Sequence, residues 1–186
     1  MTVEGKETEI KLRLSDPVTI RAKLEQAGFK VSRERVFEVN TVYDTPEGIL
    51  RQRGTLLRLR EVGGQAILTF KGPATPSKHK SREELETTVG DVSTGAAIFN
   101  RLGFVPSFRY EKYRTEYERP GNPGVVTLDE TPIGWFLELE GPPDWIDSTA
   151  RQLGFAEEDY IILSYAALYL TYCNERRTTP THMVFQ

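Results

Sequence analysis

Charged side chains recur at alternate positions near the start of the chain. Glu7, Glu9 and Lys11 are separated by single residues within ETEIK, and Arg13 follows two positions later. Residues two apart in a β-strand point to the same face, so these charged groups would share one face of a strand. The mostly apolar residues between them would share the other. The chemistry available to the charged face depends on whether it meets solvent or the interior.

The same alternation of charged and apolar residues recurs in later segments that have the composition of strands. The charged residues that fall on one face of each segment are Arg58 and Arg60, Lys71, Arg82, Glu84 and Glu86, Lys112, Arg114 and Glu116, Asp129, and Glu138 and Glu140. One antiparallel sheet can present such a face to water. So many strands with clusters of both signs instead favour a shared interior, because a closed barrel would bring the clusters together in its lumen. Buried charges are costly unless they have partners or a ligand.

The residue types indicate which ligand a charged lumen would bind. Grouped carboxylates are hard oxygen ligands that suit Mg²⁺ or Mn²⁺. Arginine and lysine bind phosphate oxygens, and arginine can do so with two parallel hydrogen bonds. A lumen that contains both kinds of group therefore predicts a complex of a divalent metal with a polyphosphate as its guest.

Turn and cap signals divide the chain into the elements that must position these side chains. Gly63 and Gly64 predict a hairpin, and residues 72–80 predict an exposed loop. Besides the N-terminal strand, the patterns predict strands over residues 36–43, 55–62, 65–71, 82–89, 108–119, 125–129 and 135–140, and helices over 17–27, 92–102, 145–153 and 160–174. Strands joined mostly as hairpins favour an α+β domain around an antiparallel sheet, either open or closed.

The bulk composition fits one cytoplasmic domain. The 186 residues suffice for a single domain, which we expect over residues 1–175, followed by a flexible polar tail over 176–186. A single cysteine excludes an internal disulfide and suggests a reducing compartment. No apolar run long enough for a membrane span and no apolar secretory signal are present, so no membrane partner is expected. The net charge of −3 disfavours a nucleic-acid partner.

An ordered set of short motifs resembles the CYTH group, also called the triphosphate tunnel metalloenzymes. ETEIK is similar to the ExExK signature of that group, and the later motifs are VYDTPEG, LLRLR, LTFK, SREELE, EKYRTEY, VTLDE, FLELE and LSYAALYL. The resemblance extends from Glu7 to Leu170. The group includes class IV adenylate cyclases, thiamine triphosphatases, inorganic triphosphatases and RNA triphosphatases. The resemblance implies a closed antiparallel eight-stranded β-barrel, or tunnel, with flanking helices.

The resemblance also implies roles for the charged residues. It implies Mg²⁺ or Mn²⁺ as the cofactor, with Glu7, Glu9, Asp129, Glu138 and Glu140 as the metal-binding carboxylates. It implies that phosphate is bound by Lys11, Arg58, Arg60, Lys71, Arg82, Lys112 and Arg114. The residues expected to act most directly in catalysis are Glu9, Lys11, Lys71 and Glu84. Arg13, Glu86 and Glu116 are also compatible with rim positions outside the site.

Three functions remain compatible with the sequence. The first is metal-dependent hydrolysis of the terminal phosphate of tripolyphosphate, a nucleoside triphosphate or thiamine triphosphate. The second is a class IV adenylate cyclase, which makes cyclic AMP and pyrophosphate from ATP. The third is a non-enzymatic binder of polyphosphate or nucleotide. A small-molecule triphosphate is the expected partner in each case, and a homodimer is compatible with the resemblance. An aromatic platform for thiamine could be Phe37, Tyr43 or Trp135, but each is more simply a core or wall residue.

Overall fold

The computed structural model describes residues 5–75 and 77–186, and its eight antiparallel strands form a closed barrel. The order around the barrel is β1-β5-β4-β3-β2-β6-β7-β8, and β8 pairs with β1 to close it. The predicted α+β barrel is therefore confirmed. The strands are β1 (Gly5–Leu14), β2 (Lys30–Asp44), β3 (Leu56–Val62), β4 (Gln65–Lys71), β5 (Lys80–Val89), β6 (Val105–Glu118), β7 (Val125–Thr131) and β8 (Gly134–Glu140).

Glycine conformation and strand register set the pairing of the strands. Gly63 and Gly64 both have positive φ angles, of 56° and 76°, and form the two-residue turn between β3 and β4. Glycine adopts this left-handed conformation without the steric cost that a Cβ atom adds. At the closure of the barrel, Glu9 of β1 lies opposite Lys80 on one side and Glu140 on the other. The register thus places charged residues of three strands side by side.

Helices cover much of the outside of the barrel. The helices are α1 (Pro17–Gln26), α2 (Ile49–Gln52), α3 (Val92–Arg101), α4 (Pro143–Leu153) and α5 (Tyr165–Arg176). The outward apolar residues of β1, β7 and β8 pack with α1 and α4 in the largest core cluster, in which Ile10, Leu128 and Leu139 are almost completely buried. A second cluster packs α3 on β3 and β4 around Phe99. Because the outward faces bury the apolar residues, the charged faces turn inward.

Several elements differ from the sequence-based predictions. β2 begins at Lys30 rather than at residue 36, because its charged N-terminal half still pairs with β6 through two register shifts. A short helix, α2, follows the predicted turn at residues 44–48. α5 begins at Tyr165 rather than at residue 160, because Ile161 pairs with Lys11 of β1 and the Ser164 side chain caps the helix.

Part of segment 176–186, which was predicted to be a flexible tail, lies against the barrel. The Met183 amide donates to the Arg109 carbonyl oxygen at 3.0 Å, and the Glu111 amide donates to the Met183 carbonyl oxygen at 2.8 Å. Met183 is completely buried. The segment is polar in composition, so the free edge of β6 that it pairs with could not be inferred from its sequence. Within the described ranges, the helices are too short or too polar to span a membrane.

Candidate active site

The inward faces of the strands enclose a cavity of about 1470 Å³. Asp129 is the only predicted site residue that does not line it. The predicted residues that the cavity brings together are Glu7, Glu9, Lys11, Arg58, Arg60, Lys71, Arg82, Glu84, Lys112, Arg114, Glu138 and Glu140. Glu86 and Glu116 also line the cavity, whereas Arg13 is exposed at the rim and donates to the carbonyl oxygen of Ile133. The alternation of charged and apolar residues along each strand therefore predicted the inward face correctly.

Oppositely charged side chains of β1, β4, β5 and β8 lie in direct contact in the cavity. Lys71 Nζ lies 2.6 Å from each carboxylate oxygen of Glu7, and Lys80 Nζ lies 2.8 Å from Glu9 Oε1. Lys11 Nζ lies between two carboxylates, at 3.3 Å from Glu9 and 3.3 Å from Glu138. These side chains are nearly inaccessible to solvent, so pairing is what makes the burial of so many charges tolerable.

The pairing shifts the ionisation of the buried groups. Burial by itself raises the pKa of Glu138, but Arg114 and Lys11 outweigh that effect and hold the pKa well below its usual range. Burial likewise opposes ionisation of Glu9, and Lys11 and Lys80 lower the pKa of this carboxyl. The pKa of Lys11 is raised by Glu138 and Glu9 despite its burial. Glu9, Lys11 and Glu138 are therefore charged across the physiological pH range.

Asp129 organises a second group of cations deeper in the barrel. Its carboxylate accepts hydrogen bonds from Arg114 Nε at 2.7 Å, Lys112 Nζ at 2.9 Å and the Tyr165 hydroxyl at 2.6 Å. Asp129 is completely buried and does not reach the cavity surface. The oxygens of Asp129 thus hold Lys112 and Arg114, and its role as a metal ligand stays a prediction. Arg114 also contacts Glu138.

The remaining arginines present their guanidinium groups from β3 and β5. Arg58 donates to the Tyr110 hydroxyl at 3.2 Å and to Thr69 Oγ1 at 3.1 Å. Arg60 Nε donates to the Asn40 side-chain oxygen at 2.9 Å, and Arg82 Nε donates to Glu7 at 3.3 Å. Arg60 has a lowered pKa because of its burial and its proximity to Arg58. This repulsion between neighbouring cations would be relieved by an anion.

Carboxylates crowd together where the cavity approaches the rim. Glu140 lies directly opposite Glu9, and no cation pairs with it among the described residues. Although Glu140 is exposed, the surrounding walls desolvate its carboxyl, and together with the repulsion from Glu7 they raise its pKa to about 7. Burial and Glu7 also raise the pKa of Glu84. Such repulsion between carboxylates would be relieved by a cation.

A family model described as a CYTH domain matches residues 5–165. The chain belongs to the CYTH family. A "putative adenylate cyclase" of Methanocaldococcus jannaschii is 32% identical over 136 residues, which cover 72% of this chain and 75% of that protein. The predicted membership of this family, made from the ordered motifs, is thereby confirmed.

Solved structures of similar proteins share the fold of this CYTH chain. The PH1012 protein of Pyrococcus horikoshii is 27% identical, covers 86% of this chain and 96% of its own, and superimposes with a TM-score of 0.74. A Hippeastrum protein, described as a "putative adenylyl cyclase" with a dominant triphosphatase activity, is 22% identical. It covers 89% of this chain and 96% of its own, with a TM-score of 0.65.

The carboxylates of this CYTH domain fit a divalent cation by their chemistry. Glu7, Glu9 and Glu140 are hard oxygen donors on neighbouring strands, and their mutual repulsion would be relieved by a dication. In the part of the chain that the structure describes, no three acidic, histidine or cysteine side chains are yet gathered into a ligand set. Glu7 and Glu9 face Lys71 and Lys80 instead, so binding of a cation would require these pairs to open.

Inward residues of β2 and the start of β5 were missed from the sequence. Glu38 lies 3.5 Å from Arg60 and 3.7 Å from Lys112, and it is completely buried. Asn40 positions Arg60, as described above. The signal was present, since Glu38 and Asn40 alternate with apolar residues, and Lys80 precedes Arg82 by two positions. The predicted boundary of β5 at residue 82 had assigned Lys80 to a loop.

The loop predicted to be exposed at residues 72–80 is anchored to α4. His79 is nearly buried, and its Nε2 atom lies 2.7 Å from Asp147 Oδ1. Lys78 Nζ contacts the other oxygen of Asp147 at 2.9 Å, and the Tyr160 hydroxyl donates to Asp147 at 3.1 Å. These contacts fix the chain next to Lys80. The exposed-loop prediction therefore holds for residues 73–75 and 77–78 but not for Gly72, His79 and Lys80, and Pro76 lies outside the described residues.

Proposed function

We propose that this CYTH domain is a divalent-metal-dependent triphosphatase that hydrolyses the terminal phosphate of a triphosphate substrate inside the barrel. The single observation that supports it most strongly is the cavity wall, on which cations that bind phosphate face carboxylates that suit Mg²⁺ or Mn²⁺. A small-molecule triphosphate is the partner that this arrangement fits.

The paired state of the cavity suggests how the substrate is accommodated. Without substrate, each cation is neutralised by a carboxylate, as Lys71 is by Glu7 and Lys80 by Glu9. A triphosphate that enters with its cation offers both charges at once. The lysines and arginines would then turn to phosphate oxygens, and the carboxylates of Glu7, Glu9, Glu138 and Glu140 would be free to hold the cation. This exchange of partners keeps the buried charge balanced.

The residues of the chain would then perform three tasks in hydrolysis. Arg58, Arg60 and Lys112 hold the phosphate chain and fix its register along the barrel. Lys11 and Lys71 lie next to the carboxylates, where they stabilise negative charge that develops on the transferred phosphoryl group. When bound, Mg²⁺ or Mn²⁺ supplies further charge neutralisation on the phosphate oxygens.

A carboxylate is also required to accept the proton of the attacking water. Glu84 suits this task because its pKa is raised by burial and by Glu7, toward the range in which a general base works. The water oxygen forms a bond to the terminal phosphorus while the bridging P–O bond breaks. Orthophosphate and the corresponding diphosphate are the products.

Adenylate cyclase activity is the second candidate, and the name of the Methanocaldococcus jannaschii relative favours it. The same cations could hold ATP so that the ribose 3′-oxygen attacks the α-phosphorus and pyrophosphate leaves. The two reactions differ in which phosphorus faces the nucleophile. Product identity therefore separates them.

The test is a substrate panel of tripolyphosphate, ATP and thiamine triphosphate, each with Mg²⁺, Mn²⁺ or EDTA, resolved by product chromatography. We expect metal-dependent release of orthophosphate. Replacing Glu9 with glutamine should lower turnover by about 100-fold or more, the scale on which loss of one transition-state group acts. Glu61→Gln is the matched control, because Glu61 is exposed on the outer side of the barrel.

Each alternative outcome would indicate a different function or would change the role of Glu9. Cyclic AMP and pyrophosphate from ATP would replace the triphosphatase with the cyclase. Tight binding of tripolyphosphate with no product under either metal would indicate a non-enzymatic binder. Wild-type turnover in Glu9→Gln with Mg²⁺ would overturn the role of Glu9 in holding the cation.

A further inference from the structure

The inward side chains change from charged to apolar along the ladder between β2 and β6. Glu38 pairs in register with Lys112, Asn40 with Tyr110, and Val42 with Phe108. The hydrogen bond from Arg58 to the Tyr110 hydroxyl, at 3.2 Å, marks the boundary between the two regions. Beyond it, the cavity wall contains no cation on this ladder as far as Phe108. If a triphosphate bound among the arginines carries an organic group, that group would therefore extend toward an apolar wall.

The apolar region is built around two aromatic rings. Phe108 and Tyr169 of α5 lie with ring centroids 5.8 Å apart, and Phe108 and Tyr110 are stacked with centroids 5.9 Å apart. Phe108 and Tyr169 both line the cavity and are only partly buried, so the parts of the two rings that neighbouring side chains leave uncovered meet the cavity. Val42, Leu170 and Pro180 complete this wall. We name Val42, Phe108, Tyr169, Leu170 and Pro180 the aromatic mouth.

The C-terminal segment contributes to the aromatic mouth because it is fixed on β6. Pro180 and Thr181 line the cavity just before the backbone hydrogen bonds of Met183. The His182 ring lies 6.4 Å from the Phe108 ring, and the Arg109 amide donates to His182 Nδ1 at 3.2 Å. The packed tail thus gives the mouth a wall that the barrel alone does not supply.

The spacing between the two regions matches a ligand with a charged end and a flat end. Lys112 and Phe108 are four positions apart on one strand, which is about 13 Å at the usual rise per residue. That distance suits a triphosphate joined through a linker such as a sugar to a planar ring. Bare tripolyphosphate would fill the charged region and leave the aromatic mouth in contact with water.

We propose that the aromatic mouth is a binding site for a planar aromatic ring, so that the substrates are triphosphate esters of aromatic molecules, such as nucleoside triphosphates, rather than inorganic tripolyphosphate. The hydrolysis of such esters rests on the proposed function, whereas the binding of the ring does not. The ring stacks on Phe108 and Tyr169 while the arginines hold the phosphates. The aromatic residues considered from the sequence do not serve this purpose. Phe37 packs outside on Tyr113, and Trp135 packs on the outer core. Tyr43 lines the cavity, but it is almost completely buried and packs on Phe99 of α3.

The test compares ATP with tripolyphosphate in wild type and in Phe108→Leu and Tyr169→Leu, which keep apolar volume but remove the flat face. The quantity measured is the ratio of kcat/KM for ATP to that for tripolyphosphate. We expect this ratio to fall about tenfold in each variant, within the range of base–aromatic stacking. Phe37→Leu is the matched control, since Phe37 is an aromatic residue on the outer face of the same sheet.

Equal ratios in all four proteins would overturn the aromatic mouth as a ring site. A preference of the wild type for tripolyphosphate would overturn it as well. If the wild type hydrolyses neither compound, the proposed function fails, and equilibrium binding decides the inference separately. In that case ATP should bind more tightly than tripolyphosphate. The two leucine variants should weaken the binding of ATP but not that of tripolyphosphate. An equal loss for both ligands would show that the rings only support the fold.

Discussion

Replacing Asp129 with asparagine should destabilise the protein, because Asp129 neutralises two buried cations at once. Its carboxylate accepts hydrogen bonds from Arg114 and Lys112, and it is completely buried. Asparagine keeps the size of the side chain but removes its charge. Lys112 then retains only Glu38 as an acidic neighbour, at 3.7 Å, whereas Arg114 retains Glu138.

The size of the effect follows from these remaining contacts. Removing one partner of a buried ion pair costs about 3–5 kcal/mol, because the other charge stays buried without compensation. Since Arg114 keeps a carboxylate and Lys112 keeps a distant one, we expect the lower end, about 3 kcal/mol. For a domain of this size, that loss lowers Tm by roughly 6–12 °C.

Urea unfolding followed by both circular dichroism and tryptophan fluorescence measures this free energy and tests two-state behaviour. Glu61→Gln is the control, since it makes the same chemical change at an exposed carboxylate. In the double variant Asp129→Asn/Lys112→Met, Arg114 keeps Glu138, and Glu38 keeps Arg60 at 3.5 Å. The double variant should therefore recover about 1 kcal/mol or more relative to Asp129→Asn.

A loss below about 1 kcal/mol, equal to that of the control, would contradict this reasoning. It would show that the buried cations find other compensation, such as water. A double variant less stable than Asp129→Asn would likewise refute the assignment of Lys112 as the charge left uncompensated.

Two further predictions concern the barrel wall and a close backbone approach. Although burial opposes it, Lys112 and Arg60 lower the pKa of Glu38 from 4.5 to about 2. The stability that Glu38 contributes is therefore present above about pH 4.5 and lost as the pH falls toward 2, so Glu38→Gln should flatten the dependence of unfolding free energy on pH in that window. If the unfolding free energies of the wild type and Glu38→Gln, measured with urea, changed equally with pH in that window, this prediction would be contradicted. At Gly124, an added Cβ would lie 2.6 Å from the Glu140 carbonyl oxygen, so Gly124→Ala should lose about 1–3 kcal/mol in thermal unfolding. Gly90→Ala, with nothing within 4 Å of its Cβ, should be neutral, and equal losses would refute the steric argument.

The inward face could be predicted from the sequence because strand geometry imposes a period of two on every barrel strand. Glu7, Arg60 and Glu138 were assigned inward by parity alone, and all three line the cavity. The ordered motifs then indicated closure of the barrel, which parity does not determine. The metal, the substrate and the roles of individual residues stay predictions.

The missing part of the site depends on contacts that sequence patterns do not encode. Lys80 meets Glu9 from 71 positions away, and this pairing depends on the register between β1 and β5. Asp129 is completely buried and accepts a hydrogen bond from the Tyr165 hydroxyl, which lies 36 positions away in the sequence. The polar tail is held by backbone hydrogen bonds around Met183, which are independent of the pattern of its side chains.

The central claim is that a triphosphate and its cation bind inside the barrel between these charged walls. A crystal structure of the protein with tripolyphosphate and Mn²⁺, using the anomalous signal of manganese, tests it most directly. The account predicts phosphate density against Arg58, Arg60 and Lys112, and a manganese peak within ligand distance of Glu7 or Glu9. Phosphate bound on the outer surface, or a manganese peak away from these carboxylates while the Lys71–Glu7 pair stays closed, would contradict it.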